Sequence, residues 1–291
     1  YIFLCFLLGN DFLPHNLSLD LRHKGHDILI DTYLENYIIF KEFITNSKTK
    51  KINNNVLYAL LKILESKETS TLIKIQTKRN KFRMFNNNYE SELERRLDLI
   101  NHSPIVNNYD ERKVDFNDKY WYNTYYKHCL NIEDDFDVQE LCLNYCEGLK
   151  WNFLYYFDDC PSWEWKYNFN HPPTLKDITN YLLNNNINNL KFNKGKPCNP
   201  IVQLLSILPK ESRNLIPYNY HKLMLQKDSP IYSYYPKTYQ VDTFFKRYFW
   251  QCPPLLPVIN IKRINNAFKT ISMNKDTKEM LSNNKIIDLS N

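Results

Sequence analysis

Residues 4–15 read LCFLLGNDFLPH, and this stretch is the most informative part of the sequence. An unbroken apolar run, Tyr1–Leu8, ends at Gly9, shortly before the acidic residue Asp11. So short a run is consistent with either a strand or a buried helix. Gly9 suits the C-terminus of a helix, and Pro14 prevents that helix from continuing. The sequence therefore predicts a buried element that ends at a glycine and presents a carboxylate at the edge of the core.

Two roles are open for Asp11. A carboxylate held rigidly at the edge of a core is a good hard-oxygen ligand for Mg²⁺ or Mn²⁺. The alternative is that Asp11 caps the next turn, because aspartate side chains often accept hydrogen bonds from nearby backbone N–H groups. The spacing of the residues alone favours the capping role.

The composition indicates a globular protein with a substantial core. The chain has 291 residues, of which 43% are hydrophobic and 24% are charged. A chain of this length buries about three quarters of its unfolded surface. Only four glycines are present, which argues against a Rossmann or P-loop protein because their phosphate-binding loops need several. The net charge of +6 is compatible with a polyanionic partner but does not identify one.

Cysteine usage and apolar patterning favour an intracellular protein. The seven cysteines include no CxxC pair, and an odd number in a chain without a signal peptide favours reduced, buried thiols. No apolar stretch reaches transmembrane length. We therefore expect a cytoplasmic protein, or alternatively a nuclear one, without membrane contact. The chain begins inside an apolar element and lacks an initiator methionine, so we expect it to be a fragment.

Apolar residues at helical spacing predict a mainly α architecture with irregular, proline-rich segments. The predicted helices cover residues 29–40, 57–64, 138–156, 174–183, 201–207 and 218–225. Thr174 stands three residues ahead of Asp177, which is typical of a capping box at a helix start. Prolines recur between residues 197 and 257, so only short helices are expected there.

Two segments are predicted to lack a stable fold of their own. Apolar density falls between about Ser66 and Phe116, which indicates a variable linker with a short helix near residues 91–100. The linker includes a basic run that could contact phosphates but that we interpret as a solvated surface, namely Lys74, Lys78, Arg79, Lys81 and Arg83. Residues 271–291 are expected to form a polar tail.

Aromatic residues concentrate between residues 147 and 165. The chain reads EGLKW at 147–151, YYF at 155–157 and PSWEW at 161–165. Several large π faces so close together suit the stacking of unpaired bases, although the composition alone favours a tryptophan-rich core. If residues 161–165 are extended, Trp163 and Trp165 point to opposite faces. We expect Trp163 to face a ligand, because it follows a turn, and Trp165 to anchor the loop.

Residues 200–257 carry a third pattern that indicates packing and turns rather than chemistry. Its recurring elements are PIVQLL at 200–205, LP at 208–209, LM at 223–224, SPI at 229–231, YYP at 234–236 and LLP at 255–257. Trp250 lies within this pattern and is predicted to belong to the core.

All three patterns resemble the XRN family of 5′→3′ exoribonucleases. GNDFLPH at residues 9–15 is similar to a signature of that family and, more distantly, to the Gly-x-Asp-Tyr element of flap endonucleases. The aromatic block resembles the family's EGLxWxxxYYYxGxxSWxW pattern, and the third pattern follows the family in order. The chain departs from the family at Asn170, where relatives carry a histidine, which puts a role for that imidazole in doubt. Two interpretations of His171 are open: it replaces that histidine, or it is simply part of a loop.

The resemblance implies a fold and a division into domains. Residues 1–24 would be the end of a PIN/FEN-like α/β nuclease core, and residues 25–270 an XRN-like helical domain. The remaining metal ligands and the pocket for the 5′ phosphate would belong to a segment upstream of Tyr1.

The resemblance also implies a function, which is processive hydrolysis of single-stranded, 5′-monophosphorylated RNA to mononucleotides in RNA and mRNA turnover. Two ions, Mg²⁺ or Mn²⁺, would assist the reaction, with Asp11 as one metal ligand and catalytic residue. Trp163 and Trp165 would line the RNA channel. The 291 residues alone are then expected to be inactive. Two alternatives stay open: a flap-type, structure-specific DNA nuclease, and a non-catalytic helical RNA-binding or scaffold protein.

Overall fold

The computed structural model describes residues 1–46, 48–82 and 88–283, and it confirms the mainly α architecture. In chain order the helices are α1 (Ile2–Cys5), α2 (Gly25–Phe40), α3 (Asn54–Asn80), α4 (Glu92–Asn101), α5 (Ser103–Asn107), α6 (Trp121–Tyr125), α7 (Asp135–Phe157), α8 (Leu175–Asn184), α9 (Pro200–Ile207), α10 (His221–Leu225), α11 (Ile261–Lys269) and α12 (Lys275–Asn283). Short 3₁₀ turns connect several of them. The α/β nuclease core expected to precede this region stays a prediction.

Four short strands form two antiparallel pairs in the described part of the chain. Strand β1 (Thr45–Asn46) pairs with β2 (Lys51–Ile52), with Thr45 opposite Ile52. Strand β3 (Gln240–Val241) pairs with β4 (Pro254–Leu255). Pairs of two residues contribute little stability by themselves, so helix packing determines the fold.

The chain divides into two compact units. The first comprises Tyr1–Lys196 and Thr243–Gln251, and the second comprises Pro197–Asp242 and Cys252–Asn291. The division expected from the sequence near residues 24 and 270 stays a prediction. Phe3, Leu7 and Leu13 are buried in the same hydrophobic cluster as residues of α2, α3 and α7.

Helix α7 provides the central apolar face of the first unit. Leu141, Tyr145 and Leu149 recur every fourth residue along α7, and each is fully buried. The opening apolar run is helical: α1 continues into a 3₁₀ turn at Phe6–Leu8. Gly9 ends that turn with φ of +86°, and an added Cβ would lie 2.8 Å from the backbone nitrogen of His15. Only glycine adopts this conformation without strain.

The prediction of a linker between residues 66 and 116 is wrong for most of that segment. Helix α3 continues to Asn80, and its final turns bury Leu72, Gln76 and Arg79. Arg79 forms a buried ion pair with Glu111, and the side-chain nitrogen of Gln76 donates to the carbonyl of Val114 at 2.7 Å. The buried face is polar here, which explains why apolar density failed to reveal it. Arg83, from the predicted basic surface, lies outside the described residues.

The prediction of a polar tail is also wrong for part of residues 271–291. The second unit has its own core, to which Leu205, Met224, Ile264 and Phe268 contribute. Helix α12 follows this core, and its Thr277 is fully buried. The hydroxyl of Thr277 donates to the Asn274 side chain at 2.7 Å. Residues 284–291 lie outside the described part of the chain.

Within residues 1–46, 48–82 and 88–283, no helix combines the length and the apolar character needed to cross a bilayer.

Helix α8 begins at the predicted capping box and is joined to α3 by a buried carboxyl group. Thr174 caps the helix, accepting a hydrogen bond from the backbone of Asp177 at 3.2 Å. Both side-chain oxygens of Glu68 accept from the backbone N–H of Leu175 at 3.1 Å. Glu68 is buried, and this burial raises its pKa from the ordinary 4.5 to about 8, because a charged carboxylate is disfavoured away from water.

We predict that Glu68 makes the protein less stable as the pH rises. Between pH 4.5 and about 8, the folded state retains a proton that the unfolded chain has released. The free energy of unfolding should therefore fall by up to about 1.4 kcal/mol for each pH unit in this window. Glu68→Gln should remove most of this fall, as measured by urea unfolding at several pH values.

Glu140→Gln is the control, because Glu140 is an exposed carboxyl on α7. A wild-type stability that stays constant through the window would show that folded Glu68 is already ionised.

Candidate functional site

Asp11 lies exposed in a tight turn, but it does not cap that turn. The neighbouring side chain does so: Asn10 Oδ1 accepts hydrogen bonds from the backbone N–H groups of Phe12 and Leu13, both at 2.9 Å. The backbone N–H of Asn10 donates to the carbonyl of Leu13 at 3.0 Å. No hydrogen bond or ion pair of the Asp11 side chain occurs among the residues that the structure describes. The turn therefore presents the Asp11 carboxylate to solvent.

A buried amide on α7 fixes this turn to the core. Asn10 Nδ2 donates to Asn152 Oδ1 at 2.9 Å, and Asn152 Nδ2 donates to the carbonyl of Gly148 at 2.8 Å. Asn152 is completely buried. Gly148 lets Leu13 approach the helix closely, because an added Cβ would lie 2.4 Å from Leu13 Cδ2. Hydrogen bonding and close packing thus hold the two sides of the turn.

Hydrogen bonds also hold the residues that follow the turn. The backbone N–H of Asn16 donates to the carbonyl of Leu7 at 2.9 Å, and Asn16 Oδ1 accepts from the Ser18 hydroxyl at 3.0 Å. His15 Nδ1 contacts the carbonyl of Asn16 at 2.8 Å. Burial lowers the pKa of His15, although the same carbonyl partly opposes this effect by stabilising the charged ring. Burial therefore favours the neutral imidazole.

Phe12 continues from Asp11 into a cluster of aromatic rings. Its ring centroid lies 4.8 Å from that of Trp151 and 5.5 Å from that of Tyr155. Trp151 is stacked on Tyr155 at 4.9 Å and on Trp165 at 5.3 Å, with interplanar angles of 17° and 24°. Trp151 is buried, whereas Tyr155 is 46% exposed. We call Phe12, Trp151, Tyr155 and Trp165 the aromatic ladder.

The two tryptophans singled out from the sequence occupy different environments. Trp163 is 52% exposed, and its backbone N–H donates to the carbonyl of Lys194 at 2.9 Å. Trp165 is half-buried within the ladder, and its indole N–H donates to Glu147 Oε2 at 3.2 Å. Within the described residues, the structure brings Trp165, but not Trp163, into ring contact with the aromatic ladder.

No imidazole is exposed at Asn170, the position of the family's histidine, or at the neighbouring His171. Asn170 is exposed, while His171 is buried with its ring 5.5 Å from that of Phe244. The carbonyl of His171 accepts the hydroxyl of Tyr167 at 2.7 Å. His171 therefore packs in the core of the first unit.

Asp11 presents a single carboxylate, and the described residues do not complete a metal site around it. Across the described ranges, no group of three or more His, Cys, Asp or Glu side chains is placed to hold a metal ion. Asp11 fits a single ligand position, because its oxygens are exposed and a carboxylate is a preferred ligand of Mg²⁺ and Mn²⁺.

Sequence reasoning missed the residues that position this site. Asn10, Asn152 and Gly148 were not identified, and Phe12 was not connected to the aromatic block. One signal was present: Gly148 and Asn152 are a small and a polar residue spaced by four on the apolar face of α7. Such a pair is typical of a close contact with another backbone segment.

Comparison with known proteins gives matches along most of the chain. Residues 1–115 and 100–289 match the family model described as the Xrn1 helical domain. The chain is 28% identical to 5′-3′ exoribonuclease 1 of Homo sapiens, in an alignment that covers 97% of the chain. It is 31% identical to 5′-3′ exoribonuclease 1 of Saccharomyces cerevisiae, in an alignment that covers 78% of the chain. It is 41% identical to 5′-3′ exoribonuclease 2 of Chaetomium globosum over 44%. The chain spans only 18%, 14% and 12% of these three relatives.

We predict that Trp163 and Trp165 differ in their effect on stability. Trp165→Ala should lower the free energy of unfolding by about 2 kcal/mol or more, somewhat less than the ~3–5 kcal/mol for a fully buried tryptophan. Trp163→Ala should change it by no more than about 0.5 kcal/mol, as is usual for exposed positions. Urea unfolding of both variants measures this. Equal losses would mean that both rings serve the core.

Proposed function

This chain belongs to the XRN family and comprises its helical domain, and we propose that it is part of a 5′→3′ exoribonuclease acting on single-stranded RNA. The observation that carries the proposal is the placement of Asp11. The neighbouring Asn10 caps the turn, so the aspartate is exposed and rigidly held without a structural role of its own. A carboxylate held in this way is suited to a metal-dependent active site.

Asp11 would supply one ligand to a pair of divalent ions, Mg²⁺ or Mn²⁺. Bound ions would activate the attacking water and stabilise the leaving oxygen of the phosphodiester. One carboxylate does not suffice, since Mg²⁺ requires near-octahedral coordination and usually more than one acidic ligand. The other ligands, and the pocket that recognises a 5′ monophosphate, would come from a part of the enzyme upstream of Tyr1.

Exposed aromatic rings of the first unit would hold the bases of the substrate. Tyr155 and Trp163 present π faces to solvent, and Phe12 follows Asp11 directly in the chain. A stacked base contributes about 1–3 kcal/mol irrespective of its identity. Such contacts suit an enzyme that must move along RNA of any sequence, so processive release of mononucleotides is part of this proposal. The proposal also includes a role in mRNA turnover in the cytoplasm, with the nucleus as the alternative location.

The geometry gives less support to the two alternatives. A flap-type DNA nuclease should follow its aspartate with a glycine-rich helix-hairpin-helix, whereas residues 25–40 form the single continuous helix α2. A non-catalytic RNA-binding protein would have no use for a carboxylate presented without hydrogen bonds. The behaviour of Asp11 variants distinguishes this second alternative from the enzyme.

We predict that Asp11→Asn, placed in the complete enzyme, lowers RNA turnover by about 10² or more while RNA affinity is largely kept. The amide preserves size but removes the charge that offsets a divalent ion, an effect of several kcal/mol. Release of nucleotides from 5′-monophosphorylated RNA measures the rate.

Asp31→Asn is the matched control, because Asp31 is an exposed carboxylate on α2. The 291-residue chain alone should release no nucleotides. A wild-type rate in Asp11→Asn, or EDTA-sensitive hydrolysis by the chain alone, would contradict the proposal.

A second prediction concerns Trp163 in the complete enzyme. Trp163→Ala should release RNA early and leave long intermediates, because one stacking contact of about 1–3 kcal/mol is lost. Gel analysis of a time course measures this. Digestion as complete as that of the wild type would remove Trp163 from the channel.

A further inference from the structure

Trp250 is exposed, although its position in the sequence predicted a core residue. It belongs to the segment Thr243–Gln251 of the first unit, and 71% of its surface is accessible. Its ring lies nearly parallel to that of Tyr248, with centroids 5.9 Å apart and an interplanar angle of 10°. A large flat apolar surface is thus presented to solvent in a fixed orientation.

Gln251 builds the turn that holds these rings. Its side-chain oxygen accepts hydrogen bonds from the backbone N–H groups of Arg247 and Tyr248, both at 3.1 Å. The same oxygen accepts from Arg22 Nη1 at 3.0 Å. Arg22 follows the Asp11 turn in sequence, so this third hydrogen bond joins the segment to the region just after that turn.

Two guanidinium groups lie against Tyr248. The central carbon of Arg247 is 5.3 Å from the Tyr248 ring centroid, and that of Arg22 is 5.9 Å from it. Cation–π contacts of this kind orient an arginine without neutralising its charge. Two other arginines differ: Arg79 is paired with Glu111, and Arg96 with Glu92.

The positive charges near Trp250 have no acidic partner in the described part of the chain. Within the described residues, no ion pair involves Arg22, Lys246 or Arg247. Arg247 Nε is also buried without a hydrogen-bond acceptor. A buried donor without a partner costs about 1–3 kcal/mol, so an anionic acceptor reaching this guanidinium would be favoured.

We propose that Trp250, Arg22 and Arg247 form an additional contact site for single-stranded RNA, with a base stacked on Trp250 and a phosphate bound by the guanidinium groups. The choice of RNA rests on the proposed function. A flat exposed indole beside unpaired arginines suits a nucleotide, which offers a π face and a negative charge a few ångströms apart. An acidic peptide would satisfy the arginines but would leave the indole face without an equivalent partner.

The first test is the affinity of the 291-residue chain for a short fluorescent oligouridylate. Trp250→Ala should weaken binding by about 5- to 150-fold, the loss expected for one stacked base, with an unchanged melting temperature. Tyr218→Ala is the control, because Tyr218 is 81% exposed but lies outside this segment. Wild-type affinity in Trp250→Ala, a loss matched by Tyr218→Ala, or no RNA binding by the wild-type chain would each overturn the proposal.

The second test separates charge from stacking. Arg22→Gln should weaken binding and reduce the slope of log affinity against log salt by about 0.7, the value for one phosphate contact on a single strand. Arg96→Gln should leave the slope unchanged, because Arg96 is an exposed arginine already paired with Glu92. An unchanged slope in Arg22→Gln would overturn the phosphate contact.

These measurements are independent of the proposed reaction. If Asp11→Asn kept full turnover, the exonuclease proposal would fail, whereas the binding results for Trp250 and Arg22 would stand.

Discussion

The side-chain amide of Asn10 is shared between its own turn and helix α7, and the arrangement of the site depends on this sharing. Its oxygen accepts from two backbone N–H groups of the turn, and its nitrogen donates to Asn152. The Asn152 side chain is completely buried, so water does not replace Asn10 as its partner, and its nitrogen donates a hydrogen bond to the carbonyl of Gly148. One pair of amides therefore sets the shape of the turn and its position on the core.

The consequence for function is the placement of two consecutive residues. With Asn10 as the cap, Asp11 presents its carboxylate to solvent, and Phe12 turns onto Trp151 and Tyr155. A charged group and a set of stacked rings thus come together through residues that carry out no chemistry themselves. A catalytic group needs such support, because an error of about 1 Å in its position can cost roughly 10² in rate.

Much of the fold could be predicted from the sequence where burial and apolar character coincide. The helices α2, α7 and α8 have apolar faces or a capping box, and each lies close to its predicted position. The end of α3 could not be predicted in this way, because Gln76 and Arg79 form part of its buried face. Those polar groups are satisfied by residues more than thirty positions away, a distance that periodicity does not reach.

The site was predictable only in part for the same reason. Asn10 and Asp11 are adjacent and cap turns about equally well, so the sequence alone favoured a capping role for Asp11. Asn10 is fixed as the capping residue by its hydrogen bond to Asn152, which lies 142 positions further along the chain. The prediction that Trp250 is a core residue was wrong because its exposure depends on a turn held by Gln251 and Arg22, which lie 229 positions apart.

A double-mutant cycle between Asn10 and Asn152 tests whether the two side-chain amides act as one unit. The stabilities of Asn10→Ala, Asn152→Ala and the double variant of the 291-residue chain would be measured by urea unfolding. If the two amides act as one unit, their effects should be non-additive, with a coupling energy of about 0.5–3 kcal/mol. Effects that add to within about 0.3 kcal/mol would show that the amides act independently, and the exposed position of Asp11 would then not depend on their pairing.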